Sequence, residues 1–317
     1  MQPADPRSRP ARGTGEILIT GATGFVGRNV ARELRRRKVR FRAIVRPQTD
    51  RAILEGTGAW MIDGDLCRKS SLRAALDGVR QVIHLGAAVR SSDVALNQAV
   101  NAEGTANLID AATRAGVKRI VALSSDSVLR ARRSPYAQSK NQAEKSLLAW
   151  GEEAGNSALV LRPPLILGPR SKHLETFVKL SKLPILPIPK DIAVRCPVFV
   201  GDIVTAVLRA LEVPEEAVPS AAINLPGRTQ VDLGDLIAAV ARCQSRRPPR
   251  IRRVPGGFMR QLGRLGGPRI VEQLEGLEEH VVLDGELAEQ LLEWNPLPLD
   301  QLLSLSLSPN SPRADSV

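Results

Sequence analysis

The sequence predicts an α/β protein with a doubly wound parallel sheet and a smaller C-terminal lobe. Short apolar runs alternate with amphipathic helical patterns along the first half of the chain, which is typical of parallel strands joined by right-handed crossover helices. The pattern becomes irregular and proline-rich after Pro163. A length of 317 residues with 43% hydrophobic content provides for one large core and a smaller lobe. Strands are expected near residues 16–20, 40–45, 59–63, 80–84, 119–123 and 158–162.

This pattern sets the expected domain boundaries. The strand and helix alternation covers residues 16–162, and the irregular part covers 163–303, with the chain returning to the main sheet around 194–225. Residues 1–15 are rich in Pro, Arg and Ser and lack an apolar stretch, which predicts a disordered tail rather than a secretory signal. Residues 304–317 are also expected to form a polar, disordered tail.

A glycine-rich turn follows the first expected strand. The run Gly21-Ala22-Thr23-Gly24-Phe25-Val26-Gly27 separates that strand from an amphipathic helix expected at 25–37. Glycines allow a tight turn and close backbone approach, and the N-terminus of the helix presents free amides to an anion. This arrangement predicts a site for a dinucleotide pyrophosphate. The expected contacts are Gly21, Thr23, Gly24, Phe25, Val26 and Gly27.

The only tyrosine of the chain lies four residues before a lysine. Tyr136 and Lys140 would share one face of a helix, one turn apart. A nearby cation favours the phenolate, so Lys140 is expected to lower the pKa of Tyr136 toward useful proton transfer. Ser124, Ser125 and Ser127 follow the apolar strand at 119–123. Serine, tyrosine and lysine in this order indicate proton transfer at a carbonyl or alcohol oxygen, with an exposed helix pair as the alternative for Tyr136 and Lys140.

Together these motifs resemble the extended short-chain dehydrogenase/reductase family, in its epimerase/dehydratase, dihydroflavonol-reductase and hydroxysteroid-dehydrogenase-like branch. The resemblance extends over residues 16–303 and implies a Rossmann-type domain followed by a substrate lobe. Further matching motifs lie at residues 64–66, 82–88, 101–105, 161–169, 198–203 and 283–296.

The resemblance also implies roles for particular residues. Tyr136 would be the acid/base, Lys140 would hold the nicotinamide ribose, and Ser125 is the best match to the hydroxyl that binds the reacting oxygen together with Tyr136. Asn101 would support the site from its helix, with plain packing as the alternative. The remaining implied cofactor contacts are Asp65, Leu66, Leu85, Gly86, Ala87, Asn101, Tyr136, Lys140, Pro163, Pro164 and Leu165.

The choice of cofactor depends on the end of the second strand. An acidic residue there would bind the ribose 2′-hydroxyl of NAD, whereas an arginine can pair with the 2′-phosphate of NADP. The chain has Arg46 at this position and no acidic residue before Asp50. This favours NADP, with NAD as the alternative.

The substrate is less constrained. By resemblance, Arg195 occupies the place of a diphosphate-binding arginine of nucleotide-sugar enzymes, with an ordinary loop arginine as the alternative. The apolar stretch at 183–189 could equally line a pocket for a lipid, steroid-like or aromatic carbonyl. Three functions follow in order of preference: an NAD(P)-dependent oxidoreductase, a nucleotide-sugar epimerase or dehydratase that retains its cofactor, and a non-catalytic nucleotide-bound assembly or sensor protein.

The amino-acid composition limits the kinds of partner that this protein is expected to bind. The three cysteines and three histidines show no metal-ligand spacing, so no metal is expected, and unpaired cysteines fit a cytoplasmic protein. The net charge is +12, and the basic segment 242–269 could contact an anionic membrane surface. Aromatic content of 3% argues against nucleic-acid binding. The expected partners are a small-molecule substrate and a second copy of the chain in a homodimer.

Overall fold

A computed structural model describes residues 16–89, 93–190, 193–214, 218, 220–255 and 281–308. The predicted N-terminal tail lies outside these residues, as does part of the basic segment, 256–269. The described chain divides into two compact units. The first contains residues up to 128, 135–162 and 204–223, and the second contains 129–134, 163–203 and the chain from 224 onward.

The first unit is built on a seven-stranded sheet. Its strand order is β10-β6-β5-β4-β1-β2-β3, and all pairs from β6 to β3 are parallel. The strand order reverses direction beside β1, as a doubly wound sheet requires. The six predicted strands are confirmed to within one residue at either end. The strands are β1 (Glu16–Thr20), β2 (Phe41–Val45), β3 (Trp60–Asp63), β4 (Val79–His84), β5 (Arg119–Leu123), β6 (Ser157–Arg162) and β10 (Ser220–Asn224).

Helices connect these strands and bury one face each. In α1 the buried side chains Val26, Val30 and Leu34 recur every four residues, so they form one stripe against the sheet. Leu18, Ile120 and Val160 lie among the buried residues of the core. A π-helical segment, Gln98–Glu103, lies between α3 and α4. The helices with residues in this unit are α1 (Phe25–Arg36), α2 (Lys69–Leu76), α3 (Val94–Asn97), α4 (Gly104–Ala115), α5 (Pro135–Gly151) and, from residue 204, α7 (Val200–Glu212).

The second unit has its own core. Leu186 and Ile188 of one strand pack with Leu236, Ile237 and Val240 of a helix. Two small parallel sheets, β8 with β11 and β7 with β9, belong to this unit. The described strands and helices that lie wholly in this unit are β7 (Ile166–Leu167), α6 (Lys172–Leu180), β8 (Ile185–Pro189), β9 (Val198–Phe199), α8 (Leu233–Cys243), β11 (Arg250–Val254), α9 (Glu286–Leu292) and α10 (Leu299–Leu307).

The boundary predicted for the C-terminal tail was wrong. The sequence indicated a polar tail from residue 304, but α10 continues to Leu307 and buries Leu303 and Ser306. The serines at 304 and 306 alternate with leucines, and the polar pattern concealed a helix with a buried side. Among the described residues, no helix is long and apolar enough to cross a membrane.

Candidate functional site

The glycine turn after β1 requires glycine at two positions for different reasons. Gly21 has φ +72°, and a Cβ there would lie 2.6 Å from the backbone nitrogen of Gly86. A Cβ at Gly27 would lie 2.2 Å from the carbonyl oxygen of Gly21. At Gly24, by contrast, the protein atom nearest to an added Cβ is that same oxygen, 3.2 Å away. Gly21 and Gly27 are therefore needed by the fold, whereas Gly24 leaves space above the turn.

The N-terminus of α1 fits an anion. Its N-cap is Gly24, which supplies no side-chain cap, and its first turn contains no acidic residue. Val26 is buried, so only its backbone amide could serve a ligand at the turn. Phe25 and Thr23 are half-buried, and the guanidinium of Arg28 lies 5.5 Å from the ring centre of Phe25. The backbone amides of an uncapped helix start are the donors that a pyrophosphate requires.

The ends of β2 and β3 meet near the predicted cofactor-selecting arginine. Arg46 is exposed directly after β2. Burial, followed by the charge of Asp65, raises the pKa of the Cys67 thiol. The positive charge of Arg46 is close enough to this thiol to oppose that increase. Asp65 accepts a hydrogen bond from the Cys67 amide at 2.9 Å, which shapes the turn, and Leu66 is buried beneath it. Arg46 therefore lies beside the Asp65 turn.

A buried polar chain supports the loop after β4. His84 is hydrogen-bonded to Thr20 Oγ1 at 2.7 Å and to Thr105 Oγ1 at 2.9 Å. Burial, and then the charge of Lys140, lower the pKa of His84 to about 3, so this imidazole is neutral. Thr20 Oγ1 also accepts a hydrogen bond from the Gly86 amide at 3.2 Å. Together with the hydrogen bond from the Leu85 amide to the Thr20 carbonyl, these bonds fix the backbone of Leu85 and Gly86, which with Ala87 are the expected cofactor contacts in this loop.

Asn101 holds the same loop from its other side. Its Oδ1 accepts a hydrogen bond from the Ala88 amide at 2.7 Å, and its Nδ2 donates to Ser139 Oγ at 3.0 Å. Ser139 Oγ in turn donates to the carbonyl oxygen of Tyr136 at 2.8 Å. Asn101 thereby ties the loop after β4 to the first turn of α5. The side chain of Asn101 therefore positions backbone atoms of the site.

Tyr136 lies in a setting that differs from the one predicted. Burial, followed by repulsion from the carboxylate of Asp126, raises the pKa of Tyr136 to about 12. The prediction that Lys140 brings the phenol pKa below its ordinary value is wrong for this structure. Desolvation opposes the phenolate, and a second negative charge nearby opposes it further. The phenol is therefore protonated at neutral pH.

Lys140 is buried and hydrogen-bonded to the end of β5. Its Nζ donates to the carbonyl oxygen of Leu123 at 2.7 Å. Burial lowers the pKa of Lys140 to about 8, and the carboxylate of Glu144 partly opposes this effect. Glu144 is 4% exposed and forms a bidentate ion pair with Arg162 at the end of β6. Tyr136, Lys140 and Glu144 thus follow one another at four-residue intervals along a single face of α5.

The serine cluster separates into different environments. Ser125 Oγ donates to Asp126 at 3.1 Å and accepts from the Ser127 amide at 3.2 Å. Ser124 and Ser127 are buried, and their hydroxyl oxygens contact no hydrogen-bond partner among the described residues. Ser125 is half-exposed. It is therefore the hydroxyl of this cluster that is both accessible and oriented.

Four residues of the predicted site belong to the second unit. Pro163, Pro164 and Leu165 lie on the chain leading into β7, where the Leu165 carbonyl accepts a hydrogen bond from Val198. Arg195 is half-buried and forms an isolated antiparallel bridge with Val231. The backbone of Arg195 is thus held by hydrogen bonds to the backbone of Val231.

Sequence reasoning missed Asp126 and Glu144. Asp126 stands next to Ser125, and its position in the sequence carries no sign that its charge acts on Tyr136. Glu144 follows Lys140 by four residues, the spacing that had already paired Lys140 with Tyr136. Arg162, its partner, lies 18 residues further along the chain, so only the fold reveals the pair. No group of three or more metal-ligating side chains occurs within the described ranges.

The chain is similar in sequence to proteins of a known family. Residues 17–225 match the sequence profile described as the NAD dependent epimerase/dehydratase family. A ceramide reductase from Caulobacter vibrioides is 31% identical over 175 residues, 55% of this chain and 54% of the relative. A UDP-glucose 4-epimerase from Vibrio cholerae is 29% identical over 194 residues, 55% of this chain and 58% of the relative. Both alignments thus span little more than half of the relative.

The fold is shared over a longer range. The crystal structure of a protein named gox2253 is 26% identical and superposes with a TM-score of 0.78, covering 93% of this chain and 97% of the other.

Proposed function

Because the chain belongs to the NAD-dependent epimerase/dehydratase family, we propose that it is an oxidoreductase of the extended short-chain dehydrogenase/reductase type. In this proposal, hydride moves between a nicotinamide and a carbonyl or alcohol carbon while Tyr136 exchanges a proton with the substrate oxygen. The proposal rests on one observation above all. The half-buried phenol of Tyr136 lies one helical turn from the buried ammonium of Lys140, whose Nζ donates a hydrogen bond to Leu123 O, directly before Ser124 and Ser125.

The protonation states favour reduction of a carbonyl. A phenol with a pKa of about 12 carries its proton at neutral pH and is therefore ready to act as an acid. The carbonyl oxygen that becomes an alkoxide would take this proton, leaving a phenolate. The bound nicotinamide would supply the hydride. A positively charged Lys140 would stabilise the phenolate. The Ser125 hydroxyl, which donates to Asp126 in this structure, would turn to donate its hydrogen bond to the reacting oxygen instead.

Asp126 acts on the phenol through its charge. That negative charge adds to the larger effect of burial in disfavouring the phenolate. Oxidation of an alcohol needs the opposite state, a phenolate that accepts the proton. The protonated phenol is therefore the state from which reduction of a carbonyl would start.

We propose NADP as the preferred nucleotide. Arg46 is exposed beside the Asp65 turn, at the end of β2, where a 2′-phosphate of the adenine ribose would lie in this family. The glycine turn and the uncapped start of α1 would hold the pyrophosphate. NAD is the alternative, since the family as a whole is NAD-dependent.

A nucleotide-sugar epimerase or dehydratase is the second candidate. It is favoured by the UDP-glucose 4-epimerase relative and by the proposed diphosphate contact of Arg195. In that reaction the hydride returns to the substrate within one turnover.

We further propose a small-molecule substrate and a cytoplasmic location. Cys67 and Cys243 are free thiols, which supports that location. A homodimer stays a prediction.

The two candidates differ in what happens to the cofactor. The full chain is incubated with C4-deuterated NADPH and a panel of ketones, and in parallel with nucleotide sugars and NAD. A reductase consumes one equivalent of NADPH for each product alcohol and transfers the deuterium to its carbinol carbon. An epimerase changes the sugar with no net change in nicotinamide absorbance. Deuterium transfer that persists undiminished in Tyr136→Phe would contradict the proposed acid.

A further inference from the structure

The small sheet of the second unit has one buried face and one open face. In β8, Leu186 and Ile188 are buried in the core, whereas Ile185 is 50% exposed and Pro187 is exposed. Side chains alternate between faces along a strand, so Ile185 and Pro187 point away from the core together. Leu183, just before the strand, is 43% exposed.

The neighbouring strand places arginines on that same face. The parallel register pairs Arg250 with Ile185 and Arg252 with Pro187, and both arginines are exposed. Ile251 between them packs against the core of the unit instead. Paired residues in a sheet share a face, so apolar side chains and guanidinium groups alternate across the open surface. We call Leu183, Ile185, Pro187, Arg250 and Arg252 the arginine face.

The two chain segments that form this face carry charges of one sign. The carboxylate of Asp232 pairs with Arg253, whose strand neighbour Ile188 lies on the buried face. Residues 179–190 contain lysines and no acidic residue, and residues 242–254 contain arginines and no acidic residue. Lys182 and Lys190 are exposed at the two ends of β8, and Arg246 and Arg247 are exposed before β11. The positive charge is therefore concentrated where the apolar side chains are exposed.

We infer that the arginine face binds the surface of an anionic lipid bilayer. Guanidinium groups would meet lipid phosphates, and Leu183 and Ile185 would enter the boundary between headgroups and acyl chains. A soluble polyanion would use the arginines but gain little from two exposed aliphatic side chains, which would stay in water. The combination of both residue types therefore favours a membrane surface over a nucleic acid. The inference does not depend on the reaction that the protein catalyses.

The test measures partition of the full chain onto vesicles by flotation. Vesicles of phosphatidylcholine with phosphatidylglycerol are expected to bind the wild type, and vesicles of phosphatidylcholine alone to leave it in solution. Arg250→Glu with Arg252→Glu should lower the partition coefficient by at least about 30-fold, the value for losing two surface arginines. Leu183→Ser with Ile185→Ser should lower it by about tenfold, since their apolar surface no longer enters the bilayer.

Matched controls separate this contact from general charge. Arg73→Glu with Arg80→Glu changes two exposed arginines of the first unit and lowers the net charge by the same amount. This pair should bind vesicles within about twofold of the wild type. Heparin binding is measured beside each variant. The inference is overturned if the control pair loses as much vesicle binding as the Arg250 and Arg252 pair. It is also overturned if the serine pair binds vesicles as the wild type does, because the contact would then be one with any polyanion.

Discussion

The ammonium of Lys140 is hydrogen-bonded to the backbone carbonyl of Leu123, 2.7 Å away, and so joins α5 to the end of β5. This bond places a buried cation beside the serines that follow the strand. The pKa of Tyr136 is nevertheless raised, because burial and Asp126 act on the phenol in the same direction. The site therefore holds a protonated tyrosine and a lysine whose pKa of about 8 is near neutrality.

Asp126→Asn is expected to lower the pKa of Tyr136. The amide removes the repelling charge while its oxygen still accepts the hydrogen bond from Ser125. Tyr136 is the only tyrosine in the chain, so phenolate absorbance during a pH titration reports this residue alone. The wild type should titrate above the ordinary value of about 10. A variant that titrates at or above the wild type would contradict the role of Asp126. Glu152→Gln, an exposed change near the end of α5, should leave the titration unchanged.

Lys140 should make stability depend on pH. Its pKa is lowered to about 8 in the folded protein, whereas the unfolded chain titrates near 10.5. Between these values the unfolded state binds more protons, so the free energy of unfolding contributed by this residue rises with pH, by about 3 kcal/mol in all. Below pH 8 the contribution is constant.

The free energy of unfolding by denaturant is measured at several pH values for the wild type and for Lys140→Met. The difference in unfolding free energy, wild type minus variant, should increase from pH 8 to pH 10. A flat difference over this range would mean that the folded lysine keeps its ordinary pKa.

Gly24→Val and Gly27→Val should fail in different ways. A side chain at Gly27 would collide with the backbone of Gly21 and Ala22, so this variant should lose much of its thermal stability. A Cβ at Gly24 meets Gly21 O at 3.2 Å, a tight contact that a small shift relieves, so this variant should fold. It should nevertheless lose nucleotide binding, since the side chain would occupy the space of the pyrophosphate. Isothermal titration and thermal unfolding are measured on both. Retained affinity in folded Gly24→Val would place the nucleotide elsewhere.

Arg46→Asp is expected to reverse the nucleotide preference. The arginine would lose its charge-assisted pair with a 2′-phosphate, which contributes a few kcal/mol at most, and the new carboxylate would repel that phosphate. NADPH should bind the wild type more tightly than NADH, and the variant should prefer NADH. Arg68→Asp, an exposed change in the loop before α2, is the control and should keep the wild-type preference. Equal preference in the wild type and Arg46→Asp would refute the assignment of NADP.

The sequence predicted the sheet well because its signals are local. Each strand from β1 to β6 is a short apolar run, and α1 carries its buried stripe at regular spacing, so neither needed knowledge of distant contacts. The glycine turn was also predictable, since a strand, glycines and a helix follow one another directly. At the other end of the chain, the part of α10 beyond residue 303 was assigned to a disordered tail because alternating serines concealed its buried side.

The electrostatics of the site were not predictable in the same way. The pKa of Tyr136 depends on how deeply α5 is buried and on Asp126, ten positions earlier in the chain. The pairing of Glu144 with Arg162 likewise depends on α5 lying against the end of β6. Sequence spacing paired Tyr136 with Lys140 within one helix, but it gave neither the burial of these side chains nor their contacts with other elements.

The central claim is that Tyr136 is the acid of the reaction, and Tyr136→Phe tests it most directly. The phenyl ring fills the same space, so nucleotide affinity and thermal stability should change little. Turnover on a substrate identified by the deuterium screen should fall by about 10² to 10⁴, the usual contribution of a positioned proton donor. Turnover in Tyr136→Phe equal to that of the wild type would contradict the mechanism.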